Sequence, residues 1–164
     1  MRTFYLVGGT MGVGKTTVCK LLADDLPSSV FLDGDWCWDL HPFRVTDETK
    51  RMVMDNIVAC LANFLACSDI DNTVFCWVMH EQDIIDEILS KLDLTDVRVI
   101  AVSLTCDERT LRDRLARDVS AGLREPDVIE RSVARLPLYV SLKTVQVDTT
   151  SLSPSEIARC IEGL

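Results

Sequence analysis

The sequence predicts a three-layer α/β protein, a five-stranded parallel sheet with helices on both faces. Three observations carry that expectation. Short apolar runs alternate with stretches of helical periodicity along the whole chain, the pattern of parallel strands joined by crossover helices. The run 74–79, Val-Phe-Cys-Trp-Val-Met, is apolar without alternation, which suits a strand buried on both faces and not a half-exposed hairpin strand. The 164 residues are 48% hydrophobic, enough for one core, and at roughly 100–200 residues per domain the chain is expected to form a single domain, 1–164.

Each element follows from its own signals. An apolar strand at 4–7 stops at Gly8-Gly9, and a helical pattern over 15–26 is closed by Pro27. A second strand, 29–32, ends at Asp33-Gly34-Asp35. The helix expected over 47–67 brings Met52, Ile57, Leu61, Phe64 and Leu65 near one face, with Thr46 or Asp47 as its cap. The central strand 74–79, a helix at 81–92 and a buried strand at 97–104 follow. An arginine-rich helix over 107–118, a polar gap at 120–126, a helix to about 139, a strand at 145–147 and a helix at 153–161 behind Pro154 complete the chain. No repeat or low-complexity segment interrupts this order.

Seventeen Lys plus Arg against twenty-six Asp plus Glu leave a net charge of −9, a field that opposes approach to a nucleic-acid backbone. The seven cysteines form no Cys-x-x-Cys pair and sit mostly among apolar residues, as free thiols do in a reducing compartment. The apolar run after Met-Arg-Thr is too short for a signal core, and no stretch approaches the roughly 20 residues of a membrane span. A cytoplasmic protein, monomer or homodimer, with a small-molecule partner and neither nucleic acid nor membrane, is expected.

The segment Gly9-Thr10-Met11-Gly12-Val13-Gly14-Lys15-Thr16 has the spacing Gly, four residues, Gly-Lys-Thr, and lies between an expected strand and an expected helix. Glycines at these positions let backbone N–H groups turn inward onto phosphate oxygens at the positive end of a helix dipole. Lys15 would then reach the β- and γ-phosphates, and the Thr16 hydroxyl would hold Mg²⁺. Residues 9–16 together with Thr17 are the expected nucleotide site, and the fold class becomes that of the P-loop NTPases, with ATP and Mg²⁺ as cofactors.

Asp33 and Asp35 flank a glycine at the carboxyl end of a strand, the edge where open α/β sheets bind ligands. Phosphoryl transfer to an alcohol needs one group to orient or deprotonate the hydroxyl and a carboxylate near the metal. Asp35 is assigned to the first role and Asp33 to the second; the competing reading is a solvated Asp-Gly turn. Trp36, Trp38, His41, Phe43 and Arg44 follow, and Trp36 is a candidate for stacking on a substrate ring. After the central strand comes His80-Glu81-Gln82 in place of an Asp. Glu81 and Asp33 are therefore alternatives for supporting the metal, and His80 is either a substrate contact or a local hydrogen-bonding group.

Leu32-Asp33-Gly34-Asp35 resembles the corresponding stretch of the gluconate kinases, and an Asp-x-Asp at this place is similar to that of shikimate kinases. In size and order of elements the chain also resembles chloramphenicol phosphotransferases and tunicamycin-resistance proteins. This resemblance to the P-loop small-molecule kinases implies an adenylate-kinase-like fold, a first acidic residue near Mg²⁺ and a second touching the acceptor hydroxyl.

Arg109, Arg112, Arg114 and Arg117 crowd one helix, with Arg124, Arg131 and Arg135 beyond the polar gap. Guanidinium groups on a mobile segment can cover the transferring phosphoryl group and exclude water. By resemblance to metabolite kinases a lid is expected at about 117–126, with Arg117 and Arg124 as its catalytic arginines; helical ion pairs such as Asp113 with Arg117 are the alternative. The expected activity is ATP-dependent transfer of the γ-phosphoryl group to a hydroxyl of a metabolite, nucleoside or antibiotic. The alternative is a nucleotide-binding switch or sequestering protein that transfers nothing to a small molecule.

Overall fold

Successive residues of the first strand, β1 (Arg2–Gly9), supply two different cores, because side chains alternate across a strand. Phe4 and Leu6 enter one apolar cluster, while Tyr5 and Val7 enter the other. In this computed structural model, which describes residues 2–164 and leaves Met1 outside the described residues, β1 is the middle strand of a five-stranded sheet. The others are β2 (Ser29–Asp33), β3 (Asn72–Cys76), β4 (Val97–Thr105) and β5 (Val145–Asp148), in the order β2-β3-β1-β4-β5 with every pairing parallel. The chain winds from β1 to β2 and β3 on one side and to β4 and β5 on the other. The crevice at the carboxyl end of β1 thus lies at the topological switch point.

Among the described residues six helices cover the sheet: α1 (Lys15–Asp25), α2 (Asp47–Ala66), α3 (Gln82–Ser90), α4 (Glu108–Ser120), α5 (Val128–Arg135) and α6 (Pro154–Glu162). Val18 and Leu22 of α1, Leu111 and Leu115 of α4, and Ile157 and Ile161 of α6 pack with Tyr5, Val7 and Val102. Ile57 and Leu61 of α2 with Ile85 and Ile88 of α3 pack with Phe4, Leu6 and Phe75 on the opposite face. Burying each such Leu or Ile contributes about 1.5–3 kcal/mol, several times any difference in intrinsic helix propensity, so packing against the sheet holds these helices. Of the two caps open for α2, Thr46 is used, in a capping box with Thr49.

Three boundaries differ from the sequence-based expectation. The central strand covers 72–76 and not 74–79: Trp77 N–H still donates to Val7 O at 3.2 Å, but β2 ends at Asp33 opposite Cys76, and the pairing with β1 ends at Val7 opposite Cys76 while β1 runs on to Gly9 against β4. Residues 78–79 therefore continue no ladder with either neighbour. The arginine-rich helix runs on to Ser120, so the irregular segment is 121–127, shorter than the 117–126 expected for a lid; Gly122, at φ +70°, turns the chain there. The helix expected to reach 139 gives way at Leu136 to a 3-10 turn, Leu136–Ser141, because Pro137 has no N–H to continue the α ladder.

Candidate active site

The phosphate loop is shaped by what its glycines lack. Gly12 sits at φ +82°, and a Cβ there would lie 2.5 Å from Leu115 Cδ2, so α4 packs directly on the loop backbone. Gly14, at φ +104°, caps α1 in a left-handed conformation with no side-chain cap, and no acidic residue occupies the first turn. The N–H groups of that turn and the positive end of the helix dipole are left open to an anion. Lys15 Nζ donates to Thr10 O at 3.0 Å. Burial holds the Lys15 ammonium below the usual lysine pKa, opposed by nearby groups including the Asp35 and Asp33 carboxylates.

Residues 12–17 line a cavity of about 470 Å³ together with Arg114, Arg117, Asp118, Arg124, Leu152 and Pro154. Three of the expected nucleotide contacts do not lie there. Thr10 is fully buried and its hydroxyl donates to Ser132 O at 2.9 Å, tying the loop to α5. Gly9 lies at the end of β1, where an added Cβ would fall 2.7 Å from Val13 Cγ1. Met11 lines a second cavity instead.

Both expected lid arginines line the first cavity, and each is held by a helix partner. Arg117 Nε donates to Asp113 O at 3.2 Å, and Arg124 Nε to Asp118 Oδ2 at 3.1 Å. Arg114, which the sequence did not single out from its neighbours, is the one that bonds to the phosphate loop. Its guanidinium donates to Val13 O at 3.3 Å, Thr149 Oγ1 at 3.0 Å and Thr149 O at 2.9 Å, joining the phosphate loop to the segment after β5. Arg112 is spent on Glu108 and Glu130, and Arg131 on Asp127 at 3.3 Å.

Asp33 closes β2 and is 6% exposed. It accepts from the Thr16 hydroxyl at 2.7 Å and from the Asp35 N–H at 3.1 Å, capping the 3-10 turn Gly34–Trp38. Glycine is required between the two carboxylates because a Cβ on Gly34 would meet Trp77 Cγ at 2.5 Å. Asp33 and Thr16 thus form a pair of hard oxygen donors beside the loop, a set suited to Mg²⁺. Among the described residues no group of three or more His, Cys, Asp or Glu side chains gathers as a metal centre, so phosphate and water oxygens would have to complete the shell. Glu81 lines the second cavity and stands apart from this pair.

The second cavity, about 810 Å³, brings Asp35 together with Trp38, Trp77, His80 and Arg135. Burial first, and then the Asp33 charge, raise the Asp35 pKa above the usual aspartate value, while Lys15 and the Trp77 indole oppose the shift. His80 lies in this cavity as expected; burial and then Arg135 lower its pKa, and its Nδ1 is buried without a partner. Trp36 does not line the cavity. It is 56% exposed with its ring edge-on to Phe31 at 5.3 Å, and Trp38 takes the position. A 3-10 turn has three residues per turn, so Asp35 and Trp38 share a face that Trp36 leaves; only knowledge of the turn type would have picked Trp38 from the sequence.

Comparisons with known proteins bear on the fold. Over its whole length the chain is similar to a gluconokinase from Sinorhizobium meliloti 1021, at 20% identity over 98% of this chain and 91% of that one, TM-score 0.69. It is similar to the tunicamycin resistance protein of Deinococcus radiodurans, at 19% identity over 99% and 95%, TM-score 0.68. A shikimate kinase from Acinetobacter baumannii, in complex with shikimate, is similar at 22% identity over 99% and 91%, TM-score 0.63. At these identities the likeness is one of fold. No curated protein sequence matches significantly. Among the described residues no helix is long and apolar enough to cross a membrane, and all seven cysteines are free. The family described as AAA domain matches residues 6–131, from β1 through the loop, the Asp33-Gly34-Asp35 turn and the arginine helix. With that match spanning most of the sequence, the chain belongs to the AAA domain family and has the α/β fold of the P-loop kinases.

Proposed function

We propose that the protein is an ATP-dependent kinase that transfers the γ-phosphoryl group to a hydroxyl of a small molecule. One observation carries the reading: a single Asp-Gly-Asp turn links two cavities, Asp33 bonding to Thr16 of the phosphate loop while Asp35 lines the second, larger cavity. A protein that only binds or hydrolyses nucleotide has no need of the second cavity or of the carboxylate on its wall.

In this reading the N–H groups of the first turn of α1 and Lys15 bind the β- and γ-phosphates. Thr16 and Asp33 would hold Mg²⁺, which when bound supplies charge neutralisation at the phosphate oxygens. Arg117 and Arg124 exchange their helix partners for the γ-phosphoryl oxygens, where charge spreads during transfer. Arg114 keeps the loop in shape beneath them. Asp35 orients the acceptor hydroxyl and takes its proton; burial and the Asp33 charge raise its pKa, which makes the carboxylate a stronger base than an ordinary aspartate. Seven free cysteines are consistent with work in a reducing, cytoplasmic setting.

The test is ADP release with and without each of a panel of sugars, nucleosides, shikimate-like acids and aminoglycosides, in wild type and Asp35→Asn. An acceptor-stimulated rate that falls by about 10²–10⁴-fold in the variant, with ATP binding retained, is expected. Stimulation that survives the substitution would move the base to Asp33 or Glu81. No stimulation by any acceptor would favour the switch or sequestering reading.

A further inference from the structure

Two of the seven thiols meet at the joint between the carboxylate turn and α2. Cys37 belongs to the 3-10 turn Gly34–Trp38 and Cys60 to α2, and both are half-buried against the same apolar cluster. The Asn56 side-chain amide donates to Cys37 O at 3.3 Å, and Cys60 stands four residues further along α2, on the same helix face. The two sulfurs are hydrogen-bonded, with the Cys37 S–H as donor; burial first, and then Cys60, push the Cys37 thiol up to about 11. With three residues per turn, Asp35 and Trp38 share the face at the second cavity and Cys37 leaves it, so neither thiol lines either cavity.

Position separates this pair from the other five cysteines. Cys19 and Cys76 also hydrogen-bond to each other, but both are 0% exposed, which closes them to any dissolved oxidant. The bond with Cys19, and then burial, hold the Cys76 thiol far above the ordinary cysteine value, so the thiolate that would attack is suppressed. Cys106 is buried, and Cys67 and Cys160 are exposed near the ends of α2 and α6. Cys37 and Cys60 combine a contact between thiols with partial exposure, the two things that closure by exchange with a small disulfide requires.

We propose that Cys37 and Cys60 are a redox modification site: a small disulfide of the glutathione class oxidises them to an intramolecular disulfide that ties the carboxylate turn to α2. The Cys60 thiolate attacks one sulfur of the oxidant, forming a mixed disulfide and releasing one thiolate; Cys37 then gives up its proton, attacks the Cys60 sulfur and releases the second. Two cysteine thiols lose two electrons and two protons, and the oxidant becomes two thiols. The sulfurs must close from hydrogen-bonding contact to about 2.05 Å, which draws the turn toward α2. Asp35 lies two residues from Cys37 on that turn and moves with it, whereas Asp33 is held from the other side by Thr16. Oxidation therefore leaves the phosphate loop in place and displaces the carboxylate at the second cavity. Only this effect on turnover rests on the kinase reading.

The test uses the full chain, reduced, freed of reductant, incubated with glutathione disulfide and quenched with acid and N-ethylmaleimide. Peptide mapping without reduction should join the peptide bearing Cys37 to the one bearing Cys60, with two fewer alkylated thiols and full reversal by dithiothreitol. Cys67→Ser should close in the same way, and Cys60→Ser should not. The bridge makes a covalent loop of residues 37–60 and should raise the melting temperature by several degrees. ATP affinity should be kept, while acceptor-stimulated ADP formation falls by about 10- to 100-fold and returns on reduction. A glutathione adduct that stays on either cysteine, a bridge from Cys37 to any other cysteine, both thiols still alkylated, or a bridged protein that melts no higher would overturn the proposal. A bridge that forms as described with acceptor turnover unchanged would overturn its coupling to Asp35. If no compound is ever phosphorylated, the kinase reading falls, and the peptide map and the melt still decide this inference.

Discussion

The Thr16 hydroxyl, in the first turn of α1, donates to Asp33 Oδ2 at 2.7 Å and so fastens the phosphate loop to the end of β2. Asp33→Asn keeps the shape of that contact and removes the charge. If Asp33 supports Mg²⁺, the variant should lose about 10–100-fold in affinity for ATP with Mg²⁺ and keep its affinity for ATP in the presence of a chelator. Titrations under the two conditions check this. An equal loss in both would make the carboxylate a structural anchor only.

Lys15 combines a cost to the fold with a use in binding. Its pKa is lowered in the folded protein, chiefly by burial, so between that lowered value and the ordinary 10.5 the unfolded chain binds more protons and stability rises with pH. At neutral pH the buried Lys15 therefore opposes folding. Lys15→Met should weaken ATP binding severely yet melt no lower than wild type without nucleotide. A melting temperature several degrees lower would show that the Lys15–Thr10 bond outweighs the burial cost.

Arg114 and Arg117 stand one helical turn apart on α4 and should fail differently. Arg114→Ala removes bonds to Val13 and Thr149 and leaves buried acceptors unpaired, at a cost of about 1–3 kcal/mol, read as a clear fall in melting temperature. Arg117→Ala gives up one bond to its own helix and should melt like wild type while kcat falls more than ATP affinity. Thermal melts and kinetics of the pair decide it. Reversed behaviour would exchange the two roles.

How far such residues were legible depends on how local their determinants are. The loop at 9–16 and the carboxylates Asp33 and Asp35 could be placed because spacing along the chain and the end of a strand fix where they stand in the fold. Trp36 and Trp38 could not be told apart, since their faces depend on a 3-10 turn that Asp33 caps. The end of the central strand at Cys76 was hidden for another reason: it is set by where β2 stops and where the pairing with β1 ends, not by the apolar run itself. Arg114 looked like its neighbours because its partners, Val13 and Thr149, lie far from it in sequence and meet it only in the fold.

Asp35 should leave its mark on the pH profile. Burial and the Asp33 charge raise its pKa, and the ionised form is the base, so kcat/KM should fall with acid at a pH above the ordinary aspartate value of 3.8. The same raised pKa favours the protonated form in the folded state, a stabilisation lost as pH rises through it; Asp35→Asn should accordingly be at least as stable as wild type at neutral pH. An acid limb at the ordinary value would mean that Asp35 is solvated and not engaged with substrate.

The link between the two cavities is tested most directly by following the phosphorus. Wild-type protein incubated with Mg²⁺, γ-labelled ATP and each hydroxyl compound of the panel should put label on carbon-bound oxygen of at least one acceptor, in amounts matching the ADP formed, and Asp35→Asn should not. Label found only in inorganic phosphate, at the same rate with every compound and in both proteins, would contradict phosphoryl transfer to an acceptor and leave a nucleotide hydrolase.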